Sequence, residues 1–366
     1  MLRVGFIGAG RIADMHYEGY RNNPVARLHA VCDRDPGLLR RRANQWEVEK
    51  TYDDYRRLLD DPEIDAVEII TPHHLHKQMA IDALDAGKHV SVQKPMALNI
   101  ADADAMIAAA ERSGTLFRVT ENYRYYPPFS TAKQLLDDGE IGEPISIRVK
   151  SLTGNAKHGW EIPTGAQGWR SNPAQSGEGG TLGDVGSHCV NLLEYVTGDP
   201  IIQLCADKST FLPDRQLDED VNALLRFKGG GKGMLTISQI ATGEENGLTL
   251  RVYGSEGAIL WAQENPNYLQ FYKYGQPRQT LTRGQEYLSD PAKGSTRIPT
   301  GHPEGYLEAF ATIYCGVAEA LRRHIEGNPM KTEEYDFPTV YDGLRGMQFI
   351  SKAVQSATEG SVWIEM

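Results

Sequence analysis

The sequence predicts an α/β protein of two domains, the first built on a doubly wound parallel sheet and the second on a large, mostly antiparallel open sheet. The chain has 366 residues, more than a single hydrophobic core usually supports. Short apolar runs alternate with helix-like segments over the first third of the chain. Closely spaced apolar runs without intervening helices follow, as expected for antiparallel strands.

The first domain is predicted from the alternation of strand and helix patterns. Five apolar runs predict strands at residues 3–7, 28–32, 66–70, 89–92 and 116–119. Apolar spacing and a high alanine content predict helices at residues 12–21, 75–86 and 100–113. Strands linked in this way lie parallel, so their carboxyl ends meet at one edge of the sheet.

The second domain is predicted to begin after Asn122, which divides the chain into residues 1–122 and 123–366. Tyr-Pro-Pro after Tyr125 precedes one more helix, which Asp138-Gly139 ends. Six further runs predict strands at residues 145–150, 201–207, 221–227, 232–240, 248–253 and 258–262. Two helices, at residues 306–326 and 339–357, close the chain, and the glycine- and tryptophan-rich segment 157–180 is interpreted as a binding loop.

Composition narrows the class of protein. With 38 basic and 49 acidic residues the formal charge is −11, which disfavours nucleic acid as a partner. The four cysteines lie far apart and form no CxxC pair, so neither a disulfide framework nor a zinc site is indicated, and no metal is expected. No apolar run is long enough for a membrane helix and no leader pattern precedes residue 2, so we expect a cytoplasmic protein without a membrane partner.

A dinucleotide-binding motif follows the first predicted strand. Residues 8–13 read Gly-Ala-Gly-Arg-Ile-Ala, which matches G-x-G-x-x-G/A at the junction of a strand and a helix. Gly8 permits the tight turn, Gly10 lets the backbone approach a pyrophosphate, and Arg11 and Ile12 begin the helix whose amides face the phosphates. The motif predicts a Rossmann domain.

Asp33 ends the second predicted strand, where a carboxylate accepts hydrogen bonds from the adenosine ribose hydroxyls. A carboxylate at this place repels a 2′-phosphate, so NAD is favoured as the cofactor. The neighbouring Arg34 is able to hold that phosphate, and NADP therefore stays open. The alternative interpretation is that Asp33 caps a helix beginning near Pro36.

Three more motifs resemble the glucose-fructose oxidoreductase and inositol dehydrogenase family (Gfo/Idh/MocA). They are Thr-Pro-His-His-Leu-His at 71–76, Val-Ser-Val-Gln-Lys-Pro-Met-Ala at 90–97 and Gly-Gly-Thr-Leu-Gly-Asp-Val-Gly-Ser-His at 179–188. The resemblance implies hydride transfer between a nicotinamide and a ring hydroxyl of a sugar or cyclitol, in a homodimer or homotetramer. It also implies cofactor contacts from Thr71, Pro72, His73, His76, Gln93, Lys94, Trp169 and Arg170. The family's Glu-Lys-Pro appears here as Gln93-Lys94-Pro95, which leaves the glutamate's cofactor contact in doubt.

Alcohol oxidation also needs a group that takes the hydroxyl proton, and lysine and histidine suit this step. The resemblance assigns it to Lys94, Asp184 and His188. Asp184 and His188 are four residues apart, on a helix expected to begin near Val185. Which of the three removes the proton stays open. Further candidate substrate residues are Tyr123, Arg124, Asn155, His158 and Trp160.

Three functions are compatible with these residues. The first is NAD-dependent oxidation of a ring hydroxyl, or the reverse reduction, on a sugar, glycoside or cyclitol. The second is a glycosidase that oxidises and re-reduces its substrate on NAD without net redox change. The third is a non-catalytic protein that senses the dinucleotide, which the presence of Lys94, Asp184 and His188 disfavours.

Overall fold

The computed structural model describes residues 1–154, 165–213, 215–328 and 336–366. The chain forms two compact units, Met1–Asn122 with Leu307–Met347 and Tyr123–Tyr306 with Gln348–Met366. Three of the candidate substrate residues, Asn155, His158 and Trp160, lie outside the described residues.

The first unit is built on a six-stranded, all-parallel sheet. Its strands are β1 Leu2–Ile7, β2 Ala26–Cys32, β3 Lys50–Tyr52, β4 Ala66–Ile69, β5 His89–Gln93 and β6 Phe117–Thr120. They lie in the order β3-β2-β1-β4-β5-β6, and every neighbouring pair is parallel. The central strands are buried along almost their whole length, as expected for a sheet with helices on its faces. The predicted doubly wound sheet is confirmed, and the short edge strand β3 is a sixth strand that the sequence patterns did not predict.

Helices connect these strands and begin where local sequence favours them. In the first part of the unit they span Ala13–Arg21, Pro36–Gln45, Tyr55–Leu59, His76–Asp85 and Ile100–Ser113. The helix Ile100–Ser113 shows how local sequence sets both ends of a helix. The Asn99 side chain accepts a hydrogen bond from the Asp102 N–H (2.8 Å), and Gly114 ends the helix in the left-handed conformation.

Residues Leu307–Met347 also belong to the first unit, whereas the sequence predicts a single division at Asn122. The helix Tyr306–Ile325 has a strongly apolar face, which includes Phe310 and Tyr314. This face packs on Gly19, where an added Cβ would lie 2.6 Å from the Tyr314 ring. The difference from the prediction arises because this contact joins segments far apart in sequence.

The second unit is built on a nine-stranded sheet. Its strands are β7 Pro144–Leu152, β8 Ile201–Ser209, β9 Asp220–Phe227, β10 Lys232–Ser238, β11 Thr249–Gly254, β12 Gly257–Ala262, β13 Tyr268–Lys273, β14 Gln279–Thr282 and β15 Ile364–Glu365. They lie in the order β14-β13-β12-β11-β7-β10-β9-β8-β15, with only the pair β7 and β10 parallel among the strands of this described sheet. The predicted large, mostly antiparallel sheet is confirmed. The strands β13, β14 and β15 were not predicted from the sequence.

Helices at Pro127–Asp137, Pro173–Ser176, Ser187–Thr197 and Asp290–Gly294 belong to the second unit, and the long helix Val340–Thr358 ends in it. The predicted loop 157–180 contains a 3-10 segment, Gly165–Ser171, and the short helix Pro173–Ser176 within its described part. Buried aromatic rings organise the core, in which Phe129 and Trp261 lie 4.5 Å apart between centroids. Among the described helices, none combines the length and apolar character that a bilayer span requires.

Candidate active site

The carboxyl edge of the parallel sheet gathers the predicted cofactor residues of the first unit. Asp33 follows β2, Gly8 follows β1, Thr71 lies just beyond β4 and Lys94 follows β5. Because the strand order is β2-β1-β4-β5, these residues lie in that order along one edge. Ligands of open parallel sheets bind at this edge.

The glycine-rich turn contains two glycines with different roles. Gly8 has a φ of 103°, and an added Cβ would lie 2.5 Å from the Ile70 carbonyl oxygen, so the fold itself requires glycine there. At Gly10 an added Cβ would meet no atom of the chain within 4 Å. Gly10 therefore faces open space at the start of the helix Ala13–Arg21, which is the cradle that a pyrophosphate needs.

The carboxylate of Asp33 is held by the main chain. One oxygen accepts the Ala9 N–H (2.8 Å) and the other accepts the Asp35 N–H (2.9 Å). The helix Pro36–Gln45 is instead capped by Asp35, which accepts from Gly37 and Leu38. The interpretation of Asp33 as the helix cap is therefore wrong, and its remaining lone pairs suit ribose hydroxyls. The neighbouring Arg34 is exposed.

Arg42 supports the glycine-rich turn and was missed by sequence reasoning. Its Nε donates to the Ala9 carbonyl (3.2 Å), and its Nη1 lies 2.6 Å from Asp14 at the start of the next helix. Only 15% of the Arg42 side chain is exposed. No local pattern predicts this contact, because the two partners are 33 residues apart.

His76 joins the loop after β4 to the loop after β5. Its Nε2 lies 2.9 Å from the Thr71 carbonyl oxygen, and its Nδ1 lies 3.2 Å from that of Pro95. Burial lowers the pKa of His76 to about 4, so the ring is neutral near pH 7. Pro72 precedes the 3-10 turn His73–Leu75, and the rings of His73 and His76 lie 5.5 Å apart.

Gln93 and Lys94 lie at the end of β5, and both are half-buried. The Lys94 N–H donates to the Gln93 Oε1 (3.2 Å), while the Gln93 Nε2 contacts the Nε2 of His16. Behind them lies a buried polar cluster, defined here as His16, Tyr20, Glu68, Arg118 and Tyr314. Its members make contacts with one another in the interior of the first unit.

In the second unit, Asp184 is held between a cation and an amide. Arg170 Nη1 lies 3.5 Å from the Asp184 Oδ1, and Gln239 Nε2 donates to its Oδ2 (3.2 Å). Arg170 also lies over the Trp169 ring, 5.0 Å from its centroid. Both bonds favour the ionised carboxylate, and 29% of the Asp184 side chain stays exposed. Gln239 was not predicted from the sequence.

Asp184 occupies a π-helical turn, Leu182–Gly186, whereas the prediction was an α-helix beginning near Val185. The α-helix Ser187–Thr197 follows directly and carries the buried His188. The turn is supported by buried Asp218, which accepts from Gly180 N–H (2.9 Å) and Leu182 N–H (2.8 Å). Single π-turns occur frequently at functional sites. The predicted pair Asp184 and His188 thus lies on one continuous helical segment.

Tyr123 and Arg124 have different surroundings in the second unit. The Tyr123 ring meets the His188 ring edge-on, with 4.7 Å between centroids, and burial raises the pKa of Tyr123. The Arg124 guanidinium is buried over the Tyr195 ring at 4.2 Å. Tyr123 therefore contacts a candidate catalytic residue, and the guanidinium of Arg124 packs on an aromatic ring.

Among the described residues, one group has the spacing of metal ligands. It contains His29, Asp61 and Glu63 in the first unit. The Lys50 ammonium group lies 2.8 Å from Asp61 and also contacts Glu63. The positive charge of the Lys50 side chain therefore already compensates the two carboxylates of this group.

A parallel sheet in the order 3-2-1-4-5-6 with a glycine-rich turn after its first strand defines the dinucleotide-binding class of α/β proteins. Residues 2–121 match the family described as "Oxidoreductase family, NAD-binding Rossmann fold", and residues 129–260 match the Gfo/Idh/MocA C-terminal domain. The chain belongs to the Gfo/Idh/MocA oxidoreductase family. The resemblance seen in the sequence motifs is thereby confirmed, as is the prediction of an NAD-dependent dehydrogenase acting on CH–OH groups.

Several relatives have substrates in their names. The chain is 30% identical to myo-inositol 2-dehydrogenase of Thermotoga maritima, over 70% of this chain and 74% of that protein. It is 29% identical to levoglucosan dehydrogenase of Pseudarthrobacter phenanthrenivorans, over 74% and 75% respectively. An inositol dehydrogenase homologue from Azotobacter vinelandii, complexed with NAD+, superimposes with a TM-score of 0.95 at 31% identity, covering 100% of this chain and 97% of that one.

Proposed function

We propose that the protein oxidises one hydroxyl of a polyhydroxylated ring to a ketone with NAD, or catalyses the reverse reduction. The ring belongs to a sugar, a glycoside or a cyclitol. The observation that carries this proposal is the environment of Asp184, whose ionised carboxylate is fixed by Arg170 and Gln239 beside His188 on the same helical segment. Relatives named as inositol and levoglucosan dehydrogenases support the same substrate class.

The residues at the sheet edge fit the cofactor. Asp33 binds the adenosine ribose, and the amides after the open position at Gly10 bind the pyrophosphate. Thr71, Pro72 and His73 after β4, with Gln93 and Lys94 after β5, serve the nicotinamide half. The family resemblance adds Trp169 and Arg170 as proposed cofactor residues. NAD, when bound, accepts the hydride of the carbinol carbon.

The proton chemistry belongs to Lys94 and His188. An alcohol loses its hydroxyl proton as the hydride leaves, so a group within hydrogen-bonding reach must take that proton. Lysine and histidine exchange protons with oxygen, whereas Asp184 is already occupied by two donors that favour its charge. We assign Asp184 to orienting the substrate by accepting a hydrogen bond from a neighbouring hydroxyl.

A polyhydroxylated ring suits this set of groups better than a simple hydroxy acid. Adjacent hydroxyls require several directional partners, and a site built around them rejects analogues that lack them. The carboxylate of a small hydroxy acid would instead require an arginine positioned to form two parallel hydrogen bonds with it. The Arg124 guanidinium packs over the Tyr195 ring, and Arg170 forms an ion pair with Asp184, which favours the polyhydroxylated ring over the hydroxy acid.

The test is a substrate panel with purified protein and NAD. Pyranoses, glycosides and inositols are incubated separately, NADH formation is followed by absorbance, and products are analysed by mass spectrometry. We expect at least one compound to yield NADH and a product lighter by two hydrogen atoms. Oxidation of only a hydroxy acid or an acyclic amine would overturn the substrate class, and cleavage of a glycoside without NADH would identify a glycosidase.

A further inference from the structure

The side chain of Gln93 connects the main chain of Lys94 to the interior of the first unit. Its Oε1 accepts the N–H of Lys94 at 3.2 Å. Because that oxygen is committed to an N–H donor, the amide nitrogen of Gln93 is the atom that faces His16. Gln93 therefore donates to the Nε2 of His16.

This bond favours one neutral tautomer of His16. A neutral imidazole that accepts at Nε2 carries its proton on Nδ1. The Nδ1 of His16 contacts the Tyr314 hydroxyl and lies 3.4 Å from Glu68 Oε2. Complete burial lowers the pKa of His16, although Glu68 opposes this effect. Burial and the amide donor thus favour the same neutral form.

The far side of His16 is rigidly anchored. Glu68 accepts hydrogen bonds from the Tyr20 hydroxyl (2.8 Å) and from Arg118 Nη2 (3.1 Å). Burial raises the pKa of Glu68, but the charge of Arg118 and the bonds from His16 and Tyr20 outweigh burial and hold it below its usual range. All of these side chains are buried, so they have few alternative conformations.

We propose that His16 is a positioning residue that fixes Lys94 through Gln93. His16 is fully buried, so its influence on the site passes through the Gln93 amide to the backbone of Lys94. His16 lies on the helix that follows the glycine-rich turn, and Lys94 follows β5. The buried polar cluster thereby joins the pyrophosphate-binding turn to Lys94 within one unit. This inference rests on the proposed role of Lys94 in proton transfer.

The direction of the bond distinguishes Gln93 from the glutamate that the family pattern has at this position. A carboxylate at position 93 would accept rather than donate, so His16 would carry a proton on Nε2 instead of accepting there. It would also place a second carboxylate against an imidazole that already faces Glu68. We therefore expect Gln93→Glu to lower turnover, even though it restores the family's residue.

The test measures the environment of Lys94 without substrate or cofactor. The rate at which acetic anhydride acetylates Lys94 is followed by mass spectrometry in the full-length protein, relative to the exposed Lys228. Two variants change His16: His16→Leu removes the acceptor of the Gln93 hydrogen bond, and His16→Gln keeps an acceptor oxygen. The third variant, Gln93→Met, removes the amide that contacts both His16 and the Lys94 N–H. His89→Leu is the matched control, because His89 is also a buried histidine of the first unit, and its Nδ1 instead accepts the Leu116 N–H.

We expect His16→Leu and Gln93→Met to change the relative acetylation rate of Lys94 in the same direction and by similar factors. Their combination should add little, because both break one connection. His16→Gln and His89→Leu should keep the wild-type rate. Where an active substrate is known, kcat should fall by up to about 10²-fold in His16→Leu, as expected for a misplaced catalytic group.

Two results would overturn the inference: unchanged Lys94 acetylation in Gln93→Met, or an equal change in His89→Leu. If His16→Leu does not fold, Gln93→Met alone decides the outcome, since it leaves the buried polar cluster intact. Failure of the proposed function is separate, because it appears as full turnover in Lys94→Ala whatever the acetylation rates are.

Discussion

At the glycine-rich turn, Gly8 and Gly10 are required for different physical reasons. Gly8→Ala places a Cβ 2.5 Å from the Ile70 carbonyl at a φ of 103°, so we expect a loss of stability of more than about 1 kcal/mol. Gly10→Ala meets no atom of the chain, so its melting temperature should stay unchanged. Its NAD affinity should fall at least about tenfold, or about 1.4 kcal/mol, because the methyl group occupies the phosphate cradle. Calorimetry and NAD titration of both variants check this, and normal NAD binding by Gly10→Ala would contradict the fingerprint assignment.

Lys94 and His188 are the residues whose removal should affect chemistry rather than cofactor binding. We expect Lys94→Ala and His188→Ala each to lower kcat by about 10²-fold or more, since each removes a proton-transfer group. NAD affinity should change little. Steady-state kinetics and NAD titration measure the two effects.

The control for these variants is Lys77→Ala, whose ammonium forms an ion pair with Asp102 at 2.6 Å on the same unit. This variant should keep wild-type turnover. Near-wild-type kcat in both Lys94→Ala and His188→Ala would move the catalytic assignment to other residues.

At the scale of elements, the π-helical turn Leu182–Gly186 depends on one buried carboxylate. Asp218→Ala leaves the N–H groups of Gly180 and Leu182 without their acceptor, at a cost of about 1–3 kcal/mol for the buried Leu182 donor and less for the partly buried Gly180 donor. We expect a lower melting temperature and a lower kcat, because the turn carries Asp184 and leads to His188.

Asp199→Ala is the matched control for Asp218→Ala. Asp199 also accepts a main-chain N–H, from Gly229 at 2.9 Å, but the turn that it holds carries no candidate site residue. We expect this variant to lower the melting temperature and to keep kcat. Equal losses of kcat in the two variants would show that Asp218 has no particular connection to the site.

For the whole molecule, buried neutral histidines predict a loss of stability in acid. Burial lowers the pKa of His76 and of His89 from 6.5 to about 4. Between these values the unfolded chain binds protons that the folded chain does not, so stability is full above about pH 6.5 and falls as the pH drops towards 4. At about pH 4, each histidine lowers the free energy of unfolding by about 3 kcal/mol relative to its value above pH 6.5.

The measurement is the melting temperature from about pH 7 to about pH 4.5, a window inside which both histidines stay neutral in the folded chain. His76→Gln and His89→Gln should each flatten the decline, because each removes one group that must be buried without charge. The exposed His302→Gln serves as the control and should keep the wild-type slope. An unchanged slope in both buried variants would contradict the assignment.

Local patterns were sufficient for most elements and for part of the site. The strand before Gly8, the helix after it and the carboxylate at Asp33 all follow from short-range rules of turn geometry and apolar periodicity. The short strands β3, β13, β14 and β15 were missed, since two- to six-residue strands at or near the edges of a sheet carry weak periodicity. Family motifs supplied Lys94, Asp184 and His188, whose roles stay predictions.

The sequence by itself determined the parallel sheet, the glycine-rich turn, the preference for NAD and the family, because each depends on residues close together in the chain. Only the tertiary structure decided that Leu307–Met347 packs with the first unit, that Arg42 supports the turn, and that Gln239 and Asp218 hold the segment of Asp184. It also decided that the Gln93 amide contacts His16, 77 residues away. The physical reason is that these contacts depend on burial and on which side chains long-range packing brings within hydrogen-bonding distance, and neither leaves a periodic trace in the sequence.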